Sequence, residues 1–273
     1  MSHELRTCPI TGRTVLLHAG WLDAPAPARP PDVPCALCVS RLPAVIARFG
    51  DLVAAPHHRG PALAIERDPA ARAGADGVLR EAFGAHEDVF GPHDAEDAAL
   101  VRAVAARVND LRGDRRLRGF RATRRWSPGA HAAWQVLATP WDFAPDPLAA
   151  WRAREREAGT RMIEDGPAFA AFAWAPRTPF EAWVAPAAGD APFGVEDPGP
   201  VAAAAARVRA RVAAALGAPV VDLVVVDGHP WRIEVVPRLR GPDSVEAAIG
   251  VPTHGATPEA ASEFLRANPR EGR

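Results

Sequence analysis

His131-Ala132-Ala133-Trp134-Gln135-Val136-Leu137-Ala138-Thr139-Pro140 is the stretch on which the fold turns. It follows Ser127-Pro128-Gly129-Ala130, whose proline and glycine mark a turn or loop before it. Three of its side chains offer chemistry: the His131 imidazole, the Trp134 indole and the Gln135 amide. Between imidazole and amide stands Ala133, which has no polar atom. Trp134 has two readings, stacking on the base of a ligand or packing in the core, and core packing is the commoner use of a large aromatic.

Upstream, Cys35-Ala36-Leu37-Cys38 places two thiols where one ion can bind both. A CxxC pair in a chain without a signal peptide is a metal or redox pair more often than a disulfide, and Cys8 is left over as a bystander. Tetrahedral zinc completes such a pair with two further sulfur or imidazole ligands. Nine histidines are available, and spacing alone chooses none of them. Arg115-Arg116-Leu117-Arg118-Gly119-Phe120-Arg121 and Arg124-Arg125 lead into the His131 stretch. Arginine suits bidentate phosphate contact, so one of Arg124 and Arg125 is expected to reach a ligand; the bland alternative is that both face solvent.

The 273-residue chain is long enough for one large domain or two similar halves around a substantial core. Its 32 basic residues are all arginine and are dispersed among 33 acidic ones, for a net charge of −1. That balance argues against a nonspecific nucleic-acid or membrane surface. Lysine and tyrosine are absent, which removes Schiff-base chemistry and a tyrosine acid or nucleophile. The first residues, Met1-Ser2-His3-Glu4-Leu5-Arg6, lack the apolar core of a signal peptide, and no stretch approaches the roughly 20 apolar residues of a membrane-spanning helix. A soluble, cytoplasmic protein is expected.

Helical periodicity is clear from Asp94 to Arg112, where Leu100, Val101, Val104, Val108 and Leu111 recur on one face, with Asp94 placed as cap and Gly113 as stop. Further helices are predicted from Pro147 to Glu164, from Pro200 to Leu216, and from Pro258 to Arg266 behind the N-cap Thr257. Strands are predicted at Phe169–Ala175, Phe180–Ala185 and Val220–Val226, the last turning at Asp227-Gly228 into Trp231–Val236. Helices interspersed with hairpins predict an α+β layered architecture. The proline-rich segment from Ala24 to Pro31 reads as extended crossing or loop.

Several of these stretches together resemble the galactose-1-phosphate uridylyltransferase family of the histidine-triad superfamily. They are Glu4-Leu5-Arg6 with Pro9-Ile10-Thr11-Gly12-Arg13, the CxxC pair, Gly91-Pro92-His93-Asp94, the His131–Pro140 stretch, Pro179-Phe180-Glu181-Ala182-Trp183-Val184-Ala185-Pro186, and the ending from Pro258 to Arg266. The resemblance implies two histidine-triad-like halves, residues 1–145 and 146–273, with an antiparallel sheet and packed helices. It implies a structural zinc held by Cys35, Cys38, His93 and His131, with His86 the main competitor for the third position. It also implies a nucleotide, nucleotide sugar or other phosphorylated small molecule as ligand, Gln135 as the phosphoryl contact, and a homodimer.

Two departures stand out. Ala133 occupies the position of the family's nucleophilic histidine, so a covalent nucleotidyl-histidine cannot form there. Pro230-Trp231-Arg232-Ile233-Glu234 replaces a His-Trp-His-Ile-Glu pattern, which removes a second metal site, although His229 is adjacent. Arg232 could add a cation for an anionic ligand or pair with Glu234, since alternation puts both on one strand face. Two further readings are a noncatalytic binding module, and an enzyme that uses the cleft for a non-nucleotidyl reaction with His229, His86 or Glu181 as acid–base groups.

Overall fold

Ten strands form one antiparallel sheet, and alternation along each strand decides which face the helices cover. The computed structural model describes residues 3–7, 14–18, 45–56, 78–80, 85–92, 95–126, 132–139, 148–217, 220–239 and 257–267. In chain order these form β1 (His3–Thr7), β2 (Thr14–His18), β3 (Ala47–Phe49), β4 (Leu52–Pro56), β5 (Val78–Arg80), β6 (Ala85–Phe90), α1 (Asp97–Arg112), β7 (Gly119–Trp126), β8 (Ala133–Thr139), α2 (Leu148–Ala158), β9 (Met162–Asp165), β10 (Ala168–Phe172), β11 (Ala182–Pro186), α3 (Gly199–Ala215), β12 (Val221–Val226), β13 (Arg232–Pro237) and α4 (Pro258–Ala267).

The large sheet has the order β3-β4-β6-β8-β7-β12-β13-β11-β10-β9, and β2-β1-β5 form a separate small sheet. Counted from either edge, the large order repeats one plan. A strand and its hairpin partner come first (β3-β4, β9-β10), then a third strand (β6, β11). A helix follows (α1, α3), and a hairpin (β7-β8, β12-β13) returns with its second strand beside the third. The two plans meet where β7 pairs with β12, antiparallel, from Val221↔Trp126 to Val226↔Arg121, with Thr123 opposite Val224. The architecture is α+β, with one continuous sheet shared by both repeats.

One face of the sheet is apolar and covered by α1, α3 and α4. Trp134, Val136 and Ala138 of β8, Phe120 and Ala122 of β7, and Ile233 and Val235 of β13 pack there with Leu100, Val104 and Val108 of α1 and Val201, Val208 and Val212 of α3. The predicted apolar stripe of α1 is buried residue for residue. Its boundary differs: the helix begins at Asp97 with Glu96 as N-cap, and Asp94 lies outside the described residues. At α4 the predicted cap forms, with the Ala260 backbone N–H donating to Thr257 Oγ1 at 3.1 Å.

The predicted helix from Pro147 to Glu164 needs correction. It ends at Ala158, Gly159 turns the chain at φ +65°, and Met162–Asp165 form the edge strand β9 against β10. Positive φ costs any residue with a Cβ, so Gly159 is the stop signal that the helical pattern obscured. The shorter α2 packs on the second face, where Trp151 meets Phe169 and Trp183 at ring separations of 5.2 and 5.4 Å.

Candidate functional site

Along β8 burial alternates, so Trp134 and Gln135 point to opposite sides of the sheet. Trp134 is 1% exposed within the core under α1. This corrects the stacking reading: no ligand on the Gln135 face reaches that ring. Ala133 and Gln135 share the second face. Ala133 packs with Val53, Ala55 and Phe90, a small apolar cluster at the position where the resemblance implies a nucleophile.

Strand pairing places Gln135 in a row that crosses the sheet. Asp88 stands opposite it on β6 and Thr123 on β7. The row continues through Val224 on β12, Glu234 on β13 and Trp183 on β11. Gln135 and Thr123 are half-buried, and the side chain of neither makes a hydrogen bond to any described residue. Asp88 is 2% exposed and stands at the register of Gln135 on the neighbouring strand. Neither Asp88 nor Thr123 stands out in the sequence; only the register brings them to Gln135.

The second repeat has committed its polar groups to one another. Arg232 Nε donates to Glu234 Oε1 at 2.9 Å, and the guanidinium lies 4.2 Å from the Trp183 ring centre. Arg177 donates to Glu181 Oε1 at 2.8 Å and also binds Glu234, while Trp183 Nε1 donates to Glu181 Oε1 at 3.0 Å. Glu181, Arg232 and Glu234 are all buried, so Arg232 and Glu234 form an internal pair. Burial opposes the charge on Arg177, but hydrogen bonding to Glu181 and the charges of Glu234 and Glu181 outweigh it and raise its pKa. Arg177 was not among the sequence candidates, because nothing in Arg177-Thr178-Pro179 signals that it caps two carboxylates from a loop.

Arg124 also departs from expectation. It alternates onto the helix face, 8% exposed, and pairs with Asp97 of α1. Burial and the charge of Arg209 push it down to about 10, which leaves it a cation at neutral pH. Arg125 is the Cα partner of Asp222 across β7 and β12, and its side chain lies outside the described residues. His229 is exposed in the β12–β13 turn, with Nδ1 3.2 Å from the Asp190 carbonyl oxygen. His86 lies on the Gln135 face, opposite Leu137 and diagonal to Gln135.

Cys35, Cys38, His93 and His131 lie outside the described residues. Among the described residues no group of three or more metal-ligating side chains occurs, and no helix is long and apolar enough to cross a membrane.

This architecture is the fold of the galactose-1-phosphate uridylyltransferase-like proteins. An ADP-glucose phosphorylase from Arabidopsis thaliana, solved with bound ADP-glucose, matches with a TM-score of 0.67 and 20% identity over 97% of this chain and 98% of that one. A uridylyltransferase matches with a TM-score of 0.69 and 17% identity over 97% and 98%. A galt-like protein from Arabidopsis thaliana matches with a TM-score of 0.61 and 18% identity over 79% and 83%. No protein-family model and no curated protein matches the chain.

Proposed function

We propose that this chain binds a nucleotide sugar, or a related phosphorylated small molecule, on the second face of its sheet with Gln135 as the phosphoryl contact. The observation that carries the reading is the uncommitted Gln135 amide, held half-buried on a rigid central strand. Its donors and its acceptor are thus open to water or a ligand. The fold supports the ligand class, since a protein of this fold is solved with ADP-glucose bound.

Ala133 sets the limit on chemistry. Family-type covalent transfer needs an imidazole there, so nucleotidyl transfer by this chain would proceed by direct displacement: an acceptor oxygen forms the new P–O bond as the bond to the leaving sugar-phosphate oxygen breaks. A noncatalytic binding module is the second reading. It is favoured by the packing of Ala133 with Val53, Ala55 and Phe90, which puts an apolar patch where the nucleophile would project.

Zinc held by Cys35, Cys38, His93 and His131 belongs to the same proposal. Its support is donor chemistry and register: Phe90 and Ala133 are paired across β6 and β8, His93 follows Phe90 by three residues, and His131 precedes Ala133 by two. Both imidazoles therefore lie close in sequence to one end of two neighbouring strands, and thiolates would offset the ion's charge. One zinc per chain in purified protein supports this; metal-free protein with both thiols freely alkylated contradicts it.

Thermal shift against nucleotides, nucleotide sugars and sugar phosphates tests the ligand class. A ligand at about a hundred times its Kd should raise Tm by roughly 5 °C in a chain of this size. No response to any phosphorylated compound would count against the reading. Ala133→His then separates the two readings: nucleotidyl-histidine formation marks an otherwise intact transferase face, and its absence in a variant that still binds marks a binding module.

A further inference from the structure

The two repeats supply an internal comparison for the Gln135 row. β8 and β13 close the two repeats, and Gln135 and Glu234 are each the third residue of that strand; their partners on β7 and β12 are Thr123 and Val224, so Gln135 answers to Glu234 and Thr123 to Val224. In the second repeat Glu234 is consumed by Arg177 and Arg232, and the position beside it is the apolar Val224. In the first repeat the corresponding positions carry an amide and a hydroxyl, adjacent across β7 and β8, both half-buried and both without a side-chain hydrogen bond to a described residue. Directly opposed residues hold their Cβ atoms about 5 Å apart, close enough for one ligand oxygen to meet both side chains.

We infer that Thr123 is a second ligand-binding residue, which together with Gln135 forms the floor that holds a phosphoryl oxygen of the nucleotide sugar. The floor is polarised. On the β6 side of Gln135 lies Asp88, buried and engaged in contacts of its own. On the β7 side, Arg121 lies two residues from Thr123 on the same face, its guanidinium donating to the Phe120 and Asp227 carbonyls at 2.9 and 3.1 Å. A phosphoryl group therefore sits toward β7, the side that carries the cation. The second repeat, its carboxylates already neutralised, offers no equivalent floor, so each chain binds one ligand.

This inference rests on the nucleotide-sugar reading, and the experiment keeps the two apart. ADP-glucose is titrated calorimetrically into wild type, Thr123→Val, Thr123→Ser and Val224→Thr, with Tm recorded to confirm folding. Expected are one site per chain, a roughly fivefold to tenfold loss of affinity in Thr123→Val, recovery in Thr123→Ser, and no change in Val224→Thr. Wild-type affinity retained in folded Thr123→Val overturns the role of Thr123 and leaves the reading standing. Two sites per chain overturns the asymmetry of the repeats. Absence of binding to wild type overturns the reading itself, and the floor with it.

Discussion

Gln135 and Glu234 stand in one row of the sheet, separated by the strands that carry Thr123 and Val224, and occupy corresponding places in the two repeats. Three strand steps put them about 14 Å apart. The glutamine is uncommitted, whereas the glutamate is buried between two arginines. One sheet thus presents two fates of the same position: a group held available and a group used for internal cohesion.

The Arg232–Glu234 pair should behave as a buried ion pair. Arg232→Met leaves Glu234 and Glu181 to Arg177, which is largely exposed, and should cost about 3 kcal/mol in urea unfolding. Replacing Arg232 and Glu234 together by methionine should cost less than the sum of the single changes. Strict additivity would show that the two side chains do not interact.

Trp134 tests the assignment of faces. Trp134→Ala should destabilise by about 3–5 kcal/mol, because it empties a core site under α1. Trp134→Phe should cost less, since the buried indole N–H makes no hydrogen bond that would be lost. Ligand affinity of the folded Trp134→Phe variant should stay within about twofold of wild type, because the ring lies across the sheet from Gln135. A large loss of affinity at unchanged stability would place the ring at the ligand after all.

Much of this arrangement is legible in the sequence where one element suffices. The stripe Leu100–Leu111, the Thr257 cap and the Asp227-Gly228 turn are local patterns, and each forms where the pattern puts it, apart from the shift of the α1 start. What fails is what depends on a neighbour. The helical pattern runs on through Met162–Asp165, but Gly159 has already turned the chain, and β10 takes that stretch as a strand. Arg124 looks like its neighbour Arg125, and only alternation on β7 with Asp97 waiting on α1 sends it inward. Thr123 and Asp88 carry no signal of their own, since their meaning comes from strands that pair across long stretches of chain.

Acid sensitivity should include a small contribution from Glu259. Hydrogen bonding from Arg161 holds this carboxyl below its ordinary value near 4.5. A depressed folded-state pKa gives stability that is complete above the unfolded value and is lost as pH falls through the folded one. Because Glu259 is 40% exposed, the contribution is about 0.5 kcal/mol. Glu259→Gln should therefore show a shallower decline of urea midpoint below about pH 4.5 than wild type. Identical declines would mean that the pair contributes nothing.

The central claim is that Gln135 holds the phosphoryl group of a nucleotide sugar, and calorimetric titration of ADP-glucose into wild type and Gln135→Ala tests it most directly. Saturable binding to wild type, weakened about tenfold or more in a folded Gln135→Ala variant, is the predicted result. Equal affinity in the two proteins, or no heat of binding to wild type, would contradict it.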